Sequence, residues 1–186
     1  KTRPVVVGLG PAGLFAALLL ARSGFRPLVL ERGPELDERV KAVEHFEKTG
    51  ELNLNANIQF GEGGAGTFSD GKLTTRVGDP LCAFVTDAFL QHGAPADIAW
   101  RQKPHVGTDL LRGIIRSIRQ EIIALGGEVR FNTALTGLKI ENGALVGVET
   151  TAGDFACEQL ILAVGHSARD TFAMLHGSGL PLECKP

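Results

Sequence analysis

An α/β fold, with a parallel central sheet and an antiparallel β-meander, is predicted by three features of this 186-residue sequence. Three short apolar runs, Val5-Val6-Val7, Pro27-Leu28-Val29-Leu30 and Leu160-Ile161-Leu162-Ala163-Val164, show no alternation, as strands buried on both faces of a parallel sheet require. A stretch of helical composition separates the first two runs. After Gly126-Gly127 the hydrophobic period drops from about 3.6 to about 2 and stays there until the last run.

Each element follows in order. The first strand ends at Gly8 and leads through Gly10-Pro11-Ala12-Gly13 into an Ala/Leu helix stopped by Ser23-Gly24. With the second strand, which ends at Glu31, residues 4–31 make one βαβ unit. Leu36, Val40, Val43 and Phe46 fall at helical spacing, with Gly50 beyond the end. Asp79-Pro80 offers an N-cap and a first-turn proline to a helix whose apolar face is Leu81, Phe84, Val85, Ala88 and Phe89, stopped by Gly93. A long helix runs from Thr108-Asp109 to Leu125 on a stripe of Leu110, Leu111, Ile114, Ile115, Ile118, Ile122 and Leu125. Arg112, Arg116 and Arg119 are expected on its solvated face. Val129 and Phe131 mark a third sheet strand. The meander then turns at Asn142-Gly143 and around Gly153 before Leu160 to Gly165 returns to the parallel sheet.

Composition excludes several function classes. Lys and Arg number 19 against 21 Asp and Glu, with no basic block, so nucleic acid and anionic lipid are unsuited partners. The longest apolar run, Leu14 to Ala21, is far below the ~18 residues that span a bilayer. Cys82, Cys157 and Cys184 are too widely spaced for a CxxC redox pair or a zinc knuckle, and their scarcity suits a reducing compartment. No export leader opens the sequence, so a cytoplasmic location is expected. His45, His92, His105, His166 and His176 show no metal-ligand spacing, so no metal is expected. The chain opens on Lys1 rather than Met, and Leu180 to Pro186 closes no element. A fragment of a longer protein is the expectation.

The chemistry concentrates at glycines. Gly8-Leu9-Gly10-Pro11-Ala12-Gly13 spells GxGxxG between a strand and a helix, and Glu31 ends the next strand. Gly8 permits a sharp turn, Gly10 lets a pyrophosphate approach the backbone, Gly13 lets helix and strand touch, and the helix N-terminus supplies partial positive charge. Glu31 suits ribose hydroxyls and repels a 2'-phosphate, which disfavours NADP at this site. Gly61-Glu62-Gly63-Gly64-Ala65-Gly66 repeats the spelling without a helical face behind it. It is either a backbone wrap around a flat or anionic group, aided by the Thr67 and Ser69 hydroxyls, or a flexible surface loop. Lys72 and Arg76 place positive charge at its exit. His166 follows Gly165 at the carboxyl end of the last strand, where ligands of open α/β sheets sit; simple loop packing explains it equally.

The order of these elements is similar to the FAD-binding domain of glutathione-reductase-type flavoproteins. More narrowly, Asn57 to Leu73 (NIQFGEGGAGTFSDGKL), Lys103 to Asp109 (KPHVGTD) and Gly165 to Thr171 (GHSARDT) resemble the uncharacterised bacterial and plastid FAD-dependent dehydrogenases, over nearly the whole chain. The resemblance implies that residues 1–186 are part of a Rossmann-like FAD-binding domain in a larger two-domain flavoprotein. Its parts are a βαβ unit at 4–31, a flavin-approach region at 32–107, the helix, third strand, meander and closing strand at 108–165, and the start of a connection to a substrate domain at 166–186. It also implies FAD with its adenosine over Gly8, Gly10, Pro11, Ala12, Gly13 and Glu31. Arg32 and Arg39 would lie on the phosphate or adenosine side, the Leu135 backbone at the adenine, and Ala163 and Gly165 at the closing strand. Gly63, Gly64, Ala65, Gly66 and Thr67 would meet the flavin end. The implied activity is hydride transfer through flavin N5, with Lys72 and His166 as candidate catalytic residues and NAD(P)H as a candidate electron donor. The implied partners are a small-molecule substrate and an electron donor or acceptor, with the oligomeric state left open. For a chain from a plant, the resemblance implies the plastid stroma in place of the cytoplasm. Lack of a cysteine pair sets the sequence apart from the disulfide reductases. An NAD-binding dehydrogenase and a non-catalytic nucleotide-binding module stay open beside this reading.

Overall fold

The computed structural model describes residues 2–69, 73, 78–100 and 106–183. In chain order the elements are β1 (Val5–Val7), α1 (Pro11–Arg22), β2 (Leu28–Leu30), α2 (Leu36–Thr49), α3 (Cys82–Gln91), α4 (Thr108–Ala124), β3 (Glu128–Arg130), β4 (Leu135–Glu141), β5 (Ala144–Thr150), β6 (Gly153–Ala156), β7 (Leu160–Leu162) and α5 (Arg169–Gly177). Short 3-10 turns lie at Ala65–Phe68 and Ala96–Ala99. The predicted α/β fold is present. A four-stranded parallel sheet has the order β3-β2-β1-β7, and a three-stranded antiparallel sheet has the order β4-β5-β6.

Side-chain alternation in the two central strands explains why their apolar runs are unbroken. Val6 and Val29 join α1 and α4, through Leu14, Leu18, Ile114, Ile118 and Ile122, in one core. Val5, Val7, Leu28 and Leu30 point the other way, into a second core with Leu135, Val148 and Cys157 of the meander region. Helices therefore cover one face of the parallel sheet and the antiparallel sheet covers the other. Asn142 at φ 51° and Gly143 at φ 79° make the left-handed turn that joins β4 to β5, as the Asn-Gly pair predicts.

Several expectations are corrected. The third apolar run is shorter as a strand than its composition suggests: β7 sits at the sheet edge, with Ile161 37% and Leu162 40% exposed. Leu81, Leu110 and Leu125 lie outside the core stripes assigned to them. Helix α5 is not foreshadowed, because it buries only Thr171 and Leu175 and so carries no full apolar stripe. Among the described residues, no helix is long and apolar enough to cross a membrane.

Three arginine-held carboxylates make the fold acid-sensitive. Glu121 is held below the usual carboxylate range by Arg22 at 2.8 Å, then by His92 at 2.7 Å. Glu128 is lowered by Arg130 and Arg3, and Asp170 by Arg32. A depressed folded value means that the stabilisation is present above the unfolded value and is lost as pH falls through the folded one. The melting temperature is therefore expected to fall between about pH 5 and pH 3, each exposed pair contributing about 0–1 kcal/mol. Thermal melts across that range check this, and a flat profile would contradict it.

Candidate functional site

A cleft of about 450 Å³ opens at the carboxyl ends of β1, β2 and β7. The chain leaves β1 through Gly8, at φ +98°, whose N–H donates to Leu30 O at 2.8 Å. A Cβ on Gly8 would stand 2.4 Å from Ala163 O, and one on Gly13 would stand 1.8 Å from Gly8 O. Gly8 is required by its positive φ and by the close approach of the chain that follows β7, and Gly13 by the packing of α1 on the turn. Gly10 differs. Its φ of −67° and ψ of −176° suit any residue, and a Cβ there would meet nothing within 4 Å. No neighbour demands a glycine, yet the residue lines the cleft.

The cleft wall at Gly10 is the N-terminus of α1. Gly10 is its cap residue and offers no side chain, Pro11 has no N–H, and no acidic residue occupies the first turn. The unpaired first-turn N–H groups and the positive end of the helix dipole are therefore left without an internal anion. Beside the turn stands Glu31, 4% exposed, whose carboxylate accepts from Leu9 N–H and Gly33 N–H, each at 2.8 Å. Two backbone donors fix both oxygens at the end of β2, and each oxygen keeps a lone pair for a hydroxyl. Arg32 also lines the cleft. Its terminal nitrogens pair with Asp170 at 2.5 and 3.2 Å, while its Nε is buried without a partner.

The second glycine-rich segment forms another wall, through Gly61, Gly64 and Ala65. Gly63 N–H donates to Leu9 O at 2.9 Å, and a Cβ on Gly64 would stand 2.7 Å from Pro11 Cδ. The segment thus seats its backbone against the start of α1. Beneath it lies Arg39, fully buried, donating to Asn57 O, Ile58 O, Glu62 O, Gly64 O and Thr67 Oγ1 at 2.8–3.2 Å. Burial lowers Arg39 to about 10, against the opposing pull of Glu31 and Glu62. Glu62 is fully buried too, accepting from Leu36 N–H and Arg119 Nε at 2.7 Å each, and burial raises its carboxyl against Arg119.

This packing corrects the expected solvated face of α4. Arg119 reaches Glu62, and Arg112 Nε donates to Thr67 O at 2.9 Å while stacking on the Phe68 ring. Arg116 pairs with Asp37 at 2.5 Å and is itself half-buried, with an Nε that has no partner.

Of the residues singled out in the sequence, the structure gathers Gly8, Gly10, Pro11, Ala12, Glu31, Arg32, Gly64, Ala65, Leu135, Ala163 and Gly165 around the cleft. Gly13 is packed behind the turn, and Gly63, Gly66 and Thr67 lie off the lining, Thr67 with its hydroxyl turned to Gly64 O. The expectation for Arg39 is revised: each of its three guanidinium nitrogens donates into the second loop, and the residue does not line the cleft. His166 is exposed beside the cleft without lining it. Lys72 and Arg76 lie outside the described residues. Gln59, Thr133, Ser167 and Thr171 line the cleft and were not singled out as site residues; Gln59 Nε2 donates to Ser167 Oγ at 2.7 Å across it. These are ordinary polar residues, and only the resemblance of the Asn57–Leu73 and Gly165–Thr171 motifs touched three of them, Gln59, Ser167 and Thr171.

Comparisons with known proteins agree with this geometry. Residues 1–57 match a protein-family model described as FAD binding domain. The chain is 54% identical over 185 residues to an uncharacterised protein of Clostridium beijerinckii, covering 100% of this chain and 35% of that protein. It is 31% identical over 147 residues to digeranylgeranylglycerophospholipid reductase 1 of Methanococcoides burtonii, covering 78% of this chain and 32% of the relative. The chain thus spans about a third of the length of the curated relatives it matches. Among solved structures it is similar to glycine oxidase from Bacillus cereus, with TM-score 0.58 and 14% identity over 95% of this chain and 58% of that one. It is also similar to L-amino acid deaminase from Proteus myxofaciens, with TM-score 0.51 and 16% identity over 98% of this chain and 49% of that one. At these identities the likeness to the solved structures is one of fold.

Proposed function

We propose that the cleft holds FAD and that this chain is the FAD-binding part of a flavin-dependent oxidoreductase. The observation that carries the reading is Gly10, a glycine that no neighbour requires, placed where the uncapped start of α1 meets the cleft. Space for an anion to reach main-chain N–H groups is what a pyrophosphate needs. The match of residues 1–57 to an FAD binding domain supports the same ligand, and the reductase name of the Methanococcoides relative supports a redox role.

When bound, FAD supplies two-electron chemistry, with hydride passing through its N5 atom. This chain's own residues bind and orient. Glu31 accepts from adenosine ribose hydroxyls and repels a 2'-phosphate, so a 2'-phosphorylated dinucleotide is rejected here. The first turn of α1 faces the pyrophosphate. Leu135, Ala163 and Gly165, with Gly61, Gly64 and Ala65 of the second loop, line the cleft and exclude water from the cofactor's flanks. Lys72 and His166 are the candidates for contact with the reacting end, NAD(P)H is the candidate donor, and the substrate is a small molecule.

The test is the visible spectrum of the purified full-length protein, followed by release of the chromophore. Flavin absorbance with FAD in the supernatant is expected. A colourless protein that cannot be reconstituted with FAD but binds NAD would overturn the proposal.

A further inference from the structure

We infer that Arg39 is a positioning residue, which moulds residues 57–67 into a wall of the cleft and so holds FAD without touching it. The inference rests on FAD occupying the cleft, as proposed above. Between α2 and the Ala65–Phe68 turn the chain has no regular ladder to fix its carbonyls. Arg39 replaces that ladder. Its guanidinium takes four main-chain carbonyls, those of Asn57, Ile58, Glu62 and Gly64, together with the Thr67 hydroxyl, at 2.8–3.2 Å.

The packing around the side chain fits the same role. A Cβ on Gly61 would stand 2.9 Å from Arg39 Cδ and Nε, so the arginine occupies the space that a side chain at 61 would need. On its far side the loop abuts Pro11 through Gly64, so it is gripped between the Arg39 fork and the start of α1. The Phe68 ring lies 4.7 Å from the Arg39 guanidinium and 4.9 Å from that of Arg112, which closes the end of the turn.

A role in stability alone does not account for this choice. A fully buried guanidinium that donates to no carboxylate carries a large desolvation cost, and a well-packed apolar side chain often serves a core as well or better. An apolar residue cannot orient four carbonyls, and neither can lysine, whose ammonium is a point donor without the planar fork. The residues so fixed include Gly64 itself and bracket Gly61, and both line the cleft.

The test measures FAD affinity and backbone hydrogen exchange in the full-length protein, for wild type, Arg39→Lys, Arg39→Met and Thr67→Val. Arg39→Lys and Arg39→Met are expected to weaken FAD binding on the order of tenfold or more, with lysine giving no rescue. Amides of 57–67 should exchange faster while those of β1, α1 and α4 keep wild-type protection, a local signature that general destabilisation would not give. If the Arg39 variants fail to fold, Thr67→Val decides, because it removes one acceptor of the fork at 3.2 Å and the hydroxyl bond to Gly64 O at 2.8 Å. It should weaken FAD binding roughly threefold with faster exchange confined to the loop. Wild-type affinity and wild-type loop protection in Arg39→Lys, or in Thr67→Val where the Arg39 variants do not fold, overturn the inference. Wild-type protein that binds no FAD overturns the function proposed above instead, and loop exchange in the variants then still decides whether Arg39 moulds the loop.

Discussion

Gly13→Ala is expected to cost at least ~3 kcal/mol of folding stability, or to leave no soluble folded protein. Helix propensity points the opposite way, since alanine inside a helix is favoured over glycine by roughly 1 kcal/mol. The structure overrides that preference. The new methyl would lie 1.8 Å from Gly8 O and 2.9 Å from Gly8 C, and 3.3 Å from Ala163 Cβ. The first two are main-chain atoms, so no rotamer relieves the contact, and either α1 or the turn must move. The turn cannot yield freely, because Gly8 is itself locked at φ +98° against Ala163 O, and β1 in front of it is buried in both cores. Urea titration with far-UV circular dichroism measures the loss. A midpoint equal to or above that of wild type would mean that α1 does not pack on the Gly8 turn as described.

The same seam shows how much of the fold was legible in the sequence. Residues 4–31 read directly, because each step has a local cause: an unbroken β-branched run, glycines where backbone approaches backbone, and an acid at the next strand end. The meander read equally well from the left-handed Asn142-Gly143 turn. The arginines did not. Arg112 and Arg119 recur at helical spacing opposite an apolar stripe, which is what a solvated face looks like, and Arg39 sits on a helix otherwise rich in charge. Their partners are the carboxylate of Glu62 and carbonyls of a loop far away in sequence, and no periodicity records a carbonyl's direction. The cleft divides in the same way. Its glycine turn and Glu31 are local and were found, whereas the Gln59–Ser167 contact joins residues 108 positions apart and depends on how β7 returns to the sheet.

Gly10→Val should give the converse of Gly13→Ala, with stability within about 1 kcal/mol of wild type and FAD affinity reduced on the order of a hundredfold. The backbone at Gly10 is in a region that valine adopts readily, and its Cβ would enter open space, so the folded chain has little to resist. The small expected loss reflects the poorer cap that valine makes at a helix start. The open space is cleft, however, and added methyl groups there would hold an anion away from the first-turn N–H groups at hydrogen-bond range. Flavin fluorescence titration alongside a urea melt separates the outcomes. Unchanged FAD affinity would mean that the cofactor does not pass over Gly10, and a stability loss matching that of Gly13→Ala would make Gly10 one more packing glycine. The expected split, with one glycine serving the fold and the other serving the ligand three residues earlier, follows from the proposal that the turn presents bare main chain to the pyrophosphate of FAD.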